Sequence, residues 1–219
     1  MKHPQYIVAF HKKQFGEVGD GITPMGIADL KERAERSLFI GRRHELEINE
    51  EFGQALPYVV VMNDTGIFTY RRTAKVGEQR LAGNYSIGIG GHIDANDVKF
   101  SDASIIHPLA TIAAAITREL NEELVLTKDG VDLSLEDLAP AVQQGMYPHM
   151  LGIINDTSNE VGRVHYGILM SIRIPDGFTV RCREEELETV GLIQKPESTE
   201  GYENWSKLVL DFLFKDGVH

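Results

Sequence analysis

The chain has 219 residues, 42% of them hydrophobic and 25% charged, which suits one soluble domain with elaborations or at most two small ones. A formal net charge of −11 argues against a nucleic-acid surface as the main function, since phosphate contacts need clustered Lys and Arg. It leaves room for small phosphorylated ligands whose charge a metal offsets. Cys182 is the single cysteine, which excludes an intrachain disulfide and a multi-cysteine zinc site.

The opening Met1-Lys2-His3-Pro4-Gln5 lacks the apolar core of a signal peptide, and no run approaches a membrane span, so a cytoplasmic protein without membrane contacts is expected. Residues 5–10 read as a first strand. Thr23-Pro24 resembles a helix cap followed by proline at the first helical position, with Ile27, Leu30 and Ala34 as the apolar face of a short helix. Pro57 precedes Tyr58-Val59-Val60-Val61-Met62, a β-branched run typical of a buried strand. Asn63-Asp64-Thr65-Gly66 is a turn, and residues 67–72 form its hairpin partner. Arg71 and Arg72 end that strand, and one of them could reach a phosphate. Residues 85–89 make a short strand leading into the glycine turn Gly88-Ile89-Gly90-Gly91-His92-Ile93-Asp94.

A polar loop over 96–104 precedes a long helix expected over 107–124, with Ala113, Ile116, Leu120 and Leu124 as its buried stripe. Near its end lies Arg118-Glu119-Leu120-Asn121-Glu122-Glu123. On a helix, positions three and four apart are neighbours, so Glu119 stands beside both Glu122 and Glu123. Like charges at that spacing repel. A hard divalent cation such as Mg²⁺ or Mn²⁺ removes the objection by binding carboxylate oxygens. The bland alternative is a solvated acidic helix end, because Glu is a good helix former. Residues 150–154 and 164–172 look like paired central strands, the second carrying His165 at a position that lines a cleft or satisfies the core. Glu184-Glu185-Glu186 reads first as solvated surface, residues 189–193 as a late strand, and Trp205, Leu208, Val209 and Phe212 as one face of a terminal helix that stops at Gly217. Together these predict a mixed α/β sandwich, with residues 1–56 as an extension packed on a main domain over 57–219.

The segment from Gly91 to Leu126 resembles a divergent Nudix box, whose pattern is G-x5-E-x7-R-E-U-x-E-E-x-G-U with U aliphatic. Arg118, Glu119, Leu120, Glu122, Glu123 and Leu126 match its second half, and Gly90-Gly91-His92-Ile93 is similar to its first. Residues 54–61 and 86–93 are also similar to a group of predicted Nudix phosphoesterases. Asp97 stands where the pattern has Glu, twenty residues instead of seven separate it from Arg118, leaving residues 99–111 as an apparent insertion, and Val125 replaces the final glycine. The resemblance implies a Nudix-like α/β/α sandwich with a mixed sheet. It also implies a hydrolase that cleaves the diphosphate bond of a nucleoside-diphosphate-type small molecule with Mg²⁺ or Mn²⁺. By position, Glu119, Glu122, Glu123 and the Gly91 carbonyl would be metal ligands and Arg118 would orient the glutamates. Arg71, His92 and His165 are candidate substrate contacts.

Two other functions are compatible with the same motif: a catalytically silent module that binds a nucleotide or sugar phosphate, and an isomerase. Isopentenyl-diphosphate isomerases of this fold use a cysteine near the glycine-rich segment, where this chain has Ser86. A homodimer is expected from the general frequency of two-fold assemblies.

Overall fold

A computed structural model describes residues 5–74, 81–101, 104–133, 148–175 and 177–215. In chain order the strands are β1 (Tyr6–His11), β2 (Gly21–Pro24), β3 (Leu38–Arg42), β4 (Phe52–Asn63), β5 (Gly66–Arg72), β6 (Tyr85–Ser86), β7 (Gly88–Ile89), β8 (Leu124–Lys128), β9 (Val131–Leu133), β10 (His149–Asn155), β11 (His165–Arg173), β12 (Phe178–Cys182) and β13 (Leu187–Ile193). The helices are α1 (Lys12–Phe15), α2 (Ile27–Ser37), α3 (Arg43–Leu46), α4 (Pro108–Glu123), α5 (Glu160–Arg163) and α6 (Asn204–Lys215). This is the expected mixed α/β class, built on a large mixed sheet. No described helix is long and apolar enough to cross a membrane.

The chain divides into two units. The first comprises Met1–Tyr58, Gly90–Arg118 and Met150–Met170. Here β1 pairs antiparallel with β3, Tyr6 opposite Arg42, and with the start of β4, Ala9 opposite Gln54. Ile7, Val8, Ala9 and Phe10 are all fully buried, so β1 is covered on both faces and reads as a continuous apolar run. Phe10, Phe15 and Tyr166 stack in sequence, with ring centroids 4.7 and 5.7 Å apart. Thr23-Pro24 does not open a helix. It closes β2, which pairs antiparallel with β10, Pro24 opposite Gly152, and a proline without an N–H is tolerated at a strand end. The helix starts three residues later at Ile27, which is 47% exposed, and buries Leu30 and Ala34. Its outer surface is laced by Asp29–Arg33, Lys31–Glu35 and Glu32–Arg36 pairs at i, i+4, each a small contribution.

The second unit comprises Val59–Ile89, Glu119–His149 and Ser171–His219. The expected hairpin is present: Asn63 Oδ1 accepts hydrogen bonds from the Thr65 and Gly66 N–H groups and the Thr65 hydroxyl, an Asx turn that pairs Met62 with Ile67. β13 flanks β5 on the other side, and β12, β8 and β9 form a separate antiparallel sheet. Val61, Phe68, Tyr70, Ile89, Leu124, Ile174, Val180 and Leu187 make the core, with Leu120 and Phe178 packed against it.

Two helix faces differ from expectation by a rotation. In α4 the buried positions are Thr111, Ile112, Ala115, Ile116 and Glu119, while Ala113 is exposed. A one-residue error in phase turns the helix by about 100°, and Glu119 lies on the buried stripe itself. Leu124 already belongs to β8, because Leu124-Val125-Leu126-Thr127 is an aliphatic, partly β-branched run that suits a strand. In α6, Ser206, Val209, Leu210 and Leu213 are buried and Trp205, Leu208 and Phe212 only partly so. Gly217 lies outside the described residues.

Candidate functional site

In the first unit, the glycine turn is held against β4. The Ile93 N–H donates to the Ala55 carbonyl at 3.3 Å, and Val8 N–H donates to the Ile93 carbonyl at 2.9 Å. Gly90 has φ +155°, and a Cβ there would lie 1.9 Å from the Pro57 oxygen. Glycine is thus required where the turn crosses Pro57. Beyond it Asp94 and Asp97 form a reciprocal capping box around a short 3₁₀ turn. Arg118 grips this loop: Nε and Nη2 donate to the two Asp97 oxygens at 3.1 and 2.9 Å, and Nη2 also donates to the His92 carbonyl at 2.9 Å. Asp97 is buried, so its carboxylate is committed to fixing the glycine turn to α4. Replacing Asp97 with Ala should cost about 2–4 kcal/mol, read as a lowered urea midpoint. A loss under about 0.5 kcal/mol, the level of an ordinary surface change, would contradict this role.

His92 and His165 meet in the same unit. Their Nε2 atoms are 3.3 Å apart, His92 Nε2 is 2.9 Å from Gln54 Oε1, and His165 Nδ1 is 2.6 Å from the Val161 carbonyl. The carbonyl requires a proton on His165 Nδ1, which leaves His165 Nε2 an acceptor in the neutral ring. Burial, then Arg43 and His165, push the His92 pKa down to about 3, so His92 is neutral at ordinary pH.

In the second unit, the end of α4 delivers Glu119, Glu122 and Glu123. Glu119 is 8% exposed, Glu123 partly buried and Glu122 exposed. The Arg183 N–H donates to the Glu123 carbonyl at 2.7 Å and Arg183 Nη2 to the Leu124 carbonyl. These bonds fix the segment after β12 and bring Glu184 to the cluster. Burial and then Glu119 push the Glu123 carboxyl up to about 8, with Arg72 opposing and Glu184 and Glu203 adding smaller upward pushes. Glu184 is also raised, by burial and then by Glu186 and Glu122. Glu123 Oε2 is buried and has no hydrogen-bond partner among the described residues. A buried carboxylate oxygen among like charges is costly unless something positive meets it, so the donor set fits a hard cation. Among the described residues no group of three or more His, Cys, Asp or Glu side chains forms a ready-made metal cage. Water, main-chain or ligand oxygens would have to complete a coordination shell, which Mg²⁺ readily accepts.

Strand alternation separates the two arginines at the end of β5. Arg71 is exposed, donates to the Gly83 carbonyl at 3.0 Å and lies over the Tyr85 ring. Arg72 turns inward, with Nε 3.2 Å from Glu203 Oε2 and Nη2 3.2 Å from the Tyr70 hydroxyl. Burial opposes its charge, but Tyr70, Glu203 and Glu123 more than offset that and raise its pKa above the ordinary guanidinium value.

No family model matches the chain. Protein YmaB of Bacillus subtilis (strain 168) is 32% identical over 192 residues, which span 85% of this chain and 84% of that protein. The chain belongs to the YmaB family. The crystal structure of Tm1382, a protein proposed to be a Nudix hydrolase, aligns with a TM-score of 0.68 at 25% identity, covering 95% of this chain and 98% of that one. This YmaB-family chain therefore has a Nudix-like fold.

Within this YmaB-family chain, the predicted residues fall into three groups. Glu119 and Glu123 are electrostatically joined, and Glu122 is coupled to Glu184. His92 and His165 form a pair, and Gly91 and Arg118 belong to the unit that contains it. Arg71 sits apart from the glutamates on the exposed side of β5. Sequence reasoning missed Glu203, Ser86 and Tyr70. Strand parity is the signal that could have separated Arg72 from Arg71, since Phe68, Tyr70 and Arg72 share one face. Nothing local marks Glu203.

Proposed function

We propose that this chain is a Nudix-type hydrolase that cleaves a diphosphate bond in a nucleoside-diphosphate-type small molecule with the help of Mg²⁺ or Mn²⁺. The buried Glu123 Oε2, without a hydrogen-bond partner among the described residues and surrounded by the charges of Glu119, Glu184 and Glu203, carries this reading. In it, Glu119, Glu122 and Glu123 would hold the cation. When bound, a divalent cation neutralises phosphate charge and polarises the phosphoryl oxygens. A carboxylate of the cluster not engaged with the cation takes the proton from the attacking water, and Glu184, with its raised pKa, suits that task. Arg118 keeps the glycine turn on α4 through Asp97, and the neutral His92 and its neighbour His165 are candidate substrate contacts. Cys182 packs against the core with a thiol pKa raised by burial first, which gives no support to cysteine-based isomerisation.

A phosphate-release screen over nucleoside diphosphate derivatives with Mg²⁺ and Mn²⁺ tests the proposal. We expect metal-dependent turnover in the wild type and its loss in Glu123→Gln. Turnover unchanged in the variant, or absent for all compounds, refutes it. The absence of a ready-made metal cage among the described residues favours one second reading, a silent nucleotide or sugar-phosphate binding module. Calorimetry with ADP-ribose, with and without Mg²⁺, separates the two: tight binding without turnover selects the module.

A further inference from the structure

We infer that Arg72 is a phosphate-anchoring residue and that Glu203 is the positioning residue that locks it in place. The inference rests on the diphosphate reading above and names a contact for that substrate. The Arg72 side chain is 21% exposed, and two edges of its guanidinium are already used. Nε donates to Glu203 Oε2 and Nη2 to the Tyr70 hydroxyl, which itself donates to the Gly88 carbonyl at 2.7 Å. Its guanidinium carbon lies 5.5 Å from the Tyr70 ring centroid. Among the described residues no group accepts a hydrogen bond from Nη1.

Glu203 is held as firmly as the arginine. Its carboxylate is 8% exposed and accepts a hydrogen bond from the Ser86 hydroxyl through Oε1. Its backbone N–H donates to the Tyr85 carbonyl at 3.0 Å, and Tyr85 N–H donates to the Gly201 carbonyl at 2.8 Å. Ser206 Oγ accepts from the Ile87 N–H at 3.2 Å. The chain entering α6 is thus fastened along β6, with Glu203 aimed at Arg72.

A buried ion pair kept only for stability is a poor investment, because apolar residues of similar size often do as well or better. This one has a different property. A guanidinium fixed on two edges presents its remaining N–H donors in a pre-organised fork, which suits a phosphate oxygen. Burial strengthens such a contact. Glu123 lies near enough to shift the charge balance of Arg72, whose direct ion pair is with Glu203. An oxyanion that brings its own divalent cation satisfies both groups: the cation meets the carboxylates, and a phosphate oxygen meets Nη1.

The test uses Arg72→Lys and Glu203→Gln, with folding checked by circular dichroism and thermal melts. Calorimetry with ADP and with inorganic pyrophosphate, each with Mg²⁺, reads the anchor without requiring turnover. Lysine keeps the charge but loses the fork, so affinity should fall about tenfold or more, and KM for a cleaved substrate should rise with kcat within about twofold. Glu203→Gln should show the same split to a smaller degree. A folded Arg72→Lys protein with wild-type affinity overturns the inference. So does a wild type that binds neither probe. If Arg72→Lys does not fold, Glu203→Gln decides: unchanged affinity and KM overturn the inference, and weakened binding supports it. If the wild type binds both probes in an Arg72-dependent way but cleaves no substrate, the hydrolase reading fails and the anchor stands.

Discussion

Glutamine at position 123 will cut turnover sharply and, in the metal-free protein, raise stability at alkaline pH. The carboxyl of Glu123 has a pKa of about 8 in the folded chain against an ordinary 4.5. Between those values the folded state holds a proton that the unfolded state has lost. Stability therefore falls as pH rises from about 4.5, and the loss is complete above about 8. Glu123, whose buried Oε2 has no hydrogen-bond partner among the described residues, must carry its charge there beside Glu119 with only the partial compensation of Arg72. Glutamine removes that charge. We expect the variant and the wild type to agree near pH 5 and to separate by a few kcal/mol near pH 8.5, with the variant the more stable. Urea unfolding at both pH values measures this. Adding Mg²⁺ should restore the wild type at pH 8.5, by about 2.7 kcal/mol at a hundredfold excess over Kd, and leave the variant nearly unchanged. Activity should drop about 10²–10⁴-fold. A variant less stable than wild type at pH 8.5 would show that Glu123 already has its counter-charge within the protein.

Alanine at Gly90 should unfold the protein or cost more than about 4 kcal/mol. The new Cβ would stand 1.9 Å from the Pro57 oxygen and 2.8 Å from its carbon. Both are backbone atoms of β4, so relief requires moving a strand rather than a side-chain tip. The φ of +155° adds strain that an L side chain rarely accepts. Gly130→Ala is the control. Gly130 has φ +78° but nothing within 4 Å of the added carbon, so only the backbone term applies, on the order of 1 kcal/mol. Circular dichroism and urea midpoints of the two variants should differ sharply. Equal midpoints would mean that the glycine turn can leave Pro57 at little cost.

The parts of this fold that were legible are those encoded by local chemistry. The hairpin at Asn63-Asp64-Thr65-Gly66 was readable because an Asx turn needs only its own four residues. The strand through Val59-Val60-Val61 and the helix carrying Glu119, Glu122 and Glu123 were readable from runs and periodicity. Strands β8 and β12 were missed because the long helix pattern absorbed Leu124 and because Phe178-Thr179-Val180 becomes a strand only by pairing with residues 126–128. Thr23-Pro24 carries a true helix-start signature, and pairing of β2 with β10 overrode it.

The site divides in the same way. By itself, the sequence determined that three glutamates share a helix end, that a glycine turn precedes them, and that the chain is mixed α/β. These follow from helical period, from turn chemistry and from residue spacing, all properties of contiguous chain. Only the tertiary structure decided that Glu119 faces the interior, that Asp97 serves Arg118, and that Arg72 rather than Arg71 joins the carboxylates. It also brought Glu203, 131 residues from Arg72, into that ion pair. Burial and long-range charge contacts are set by which distant segments pack together, and no local pattern in a chain records that.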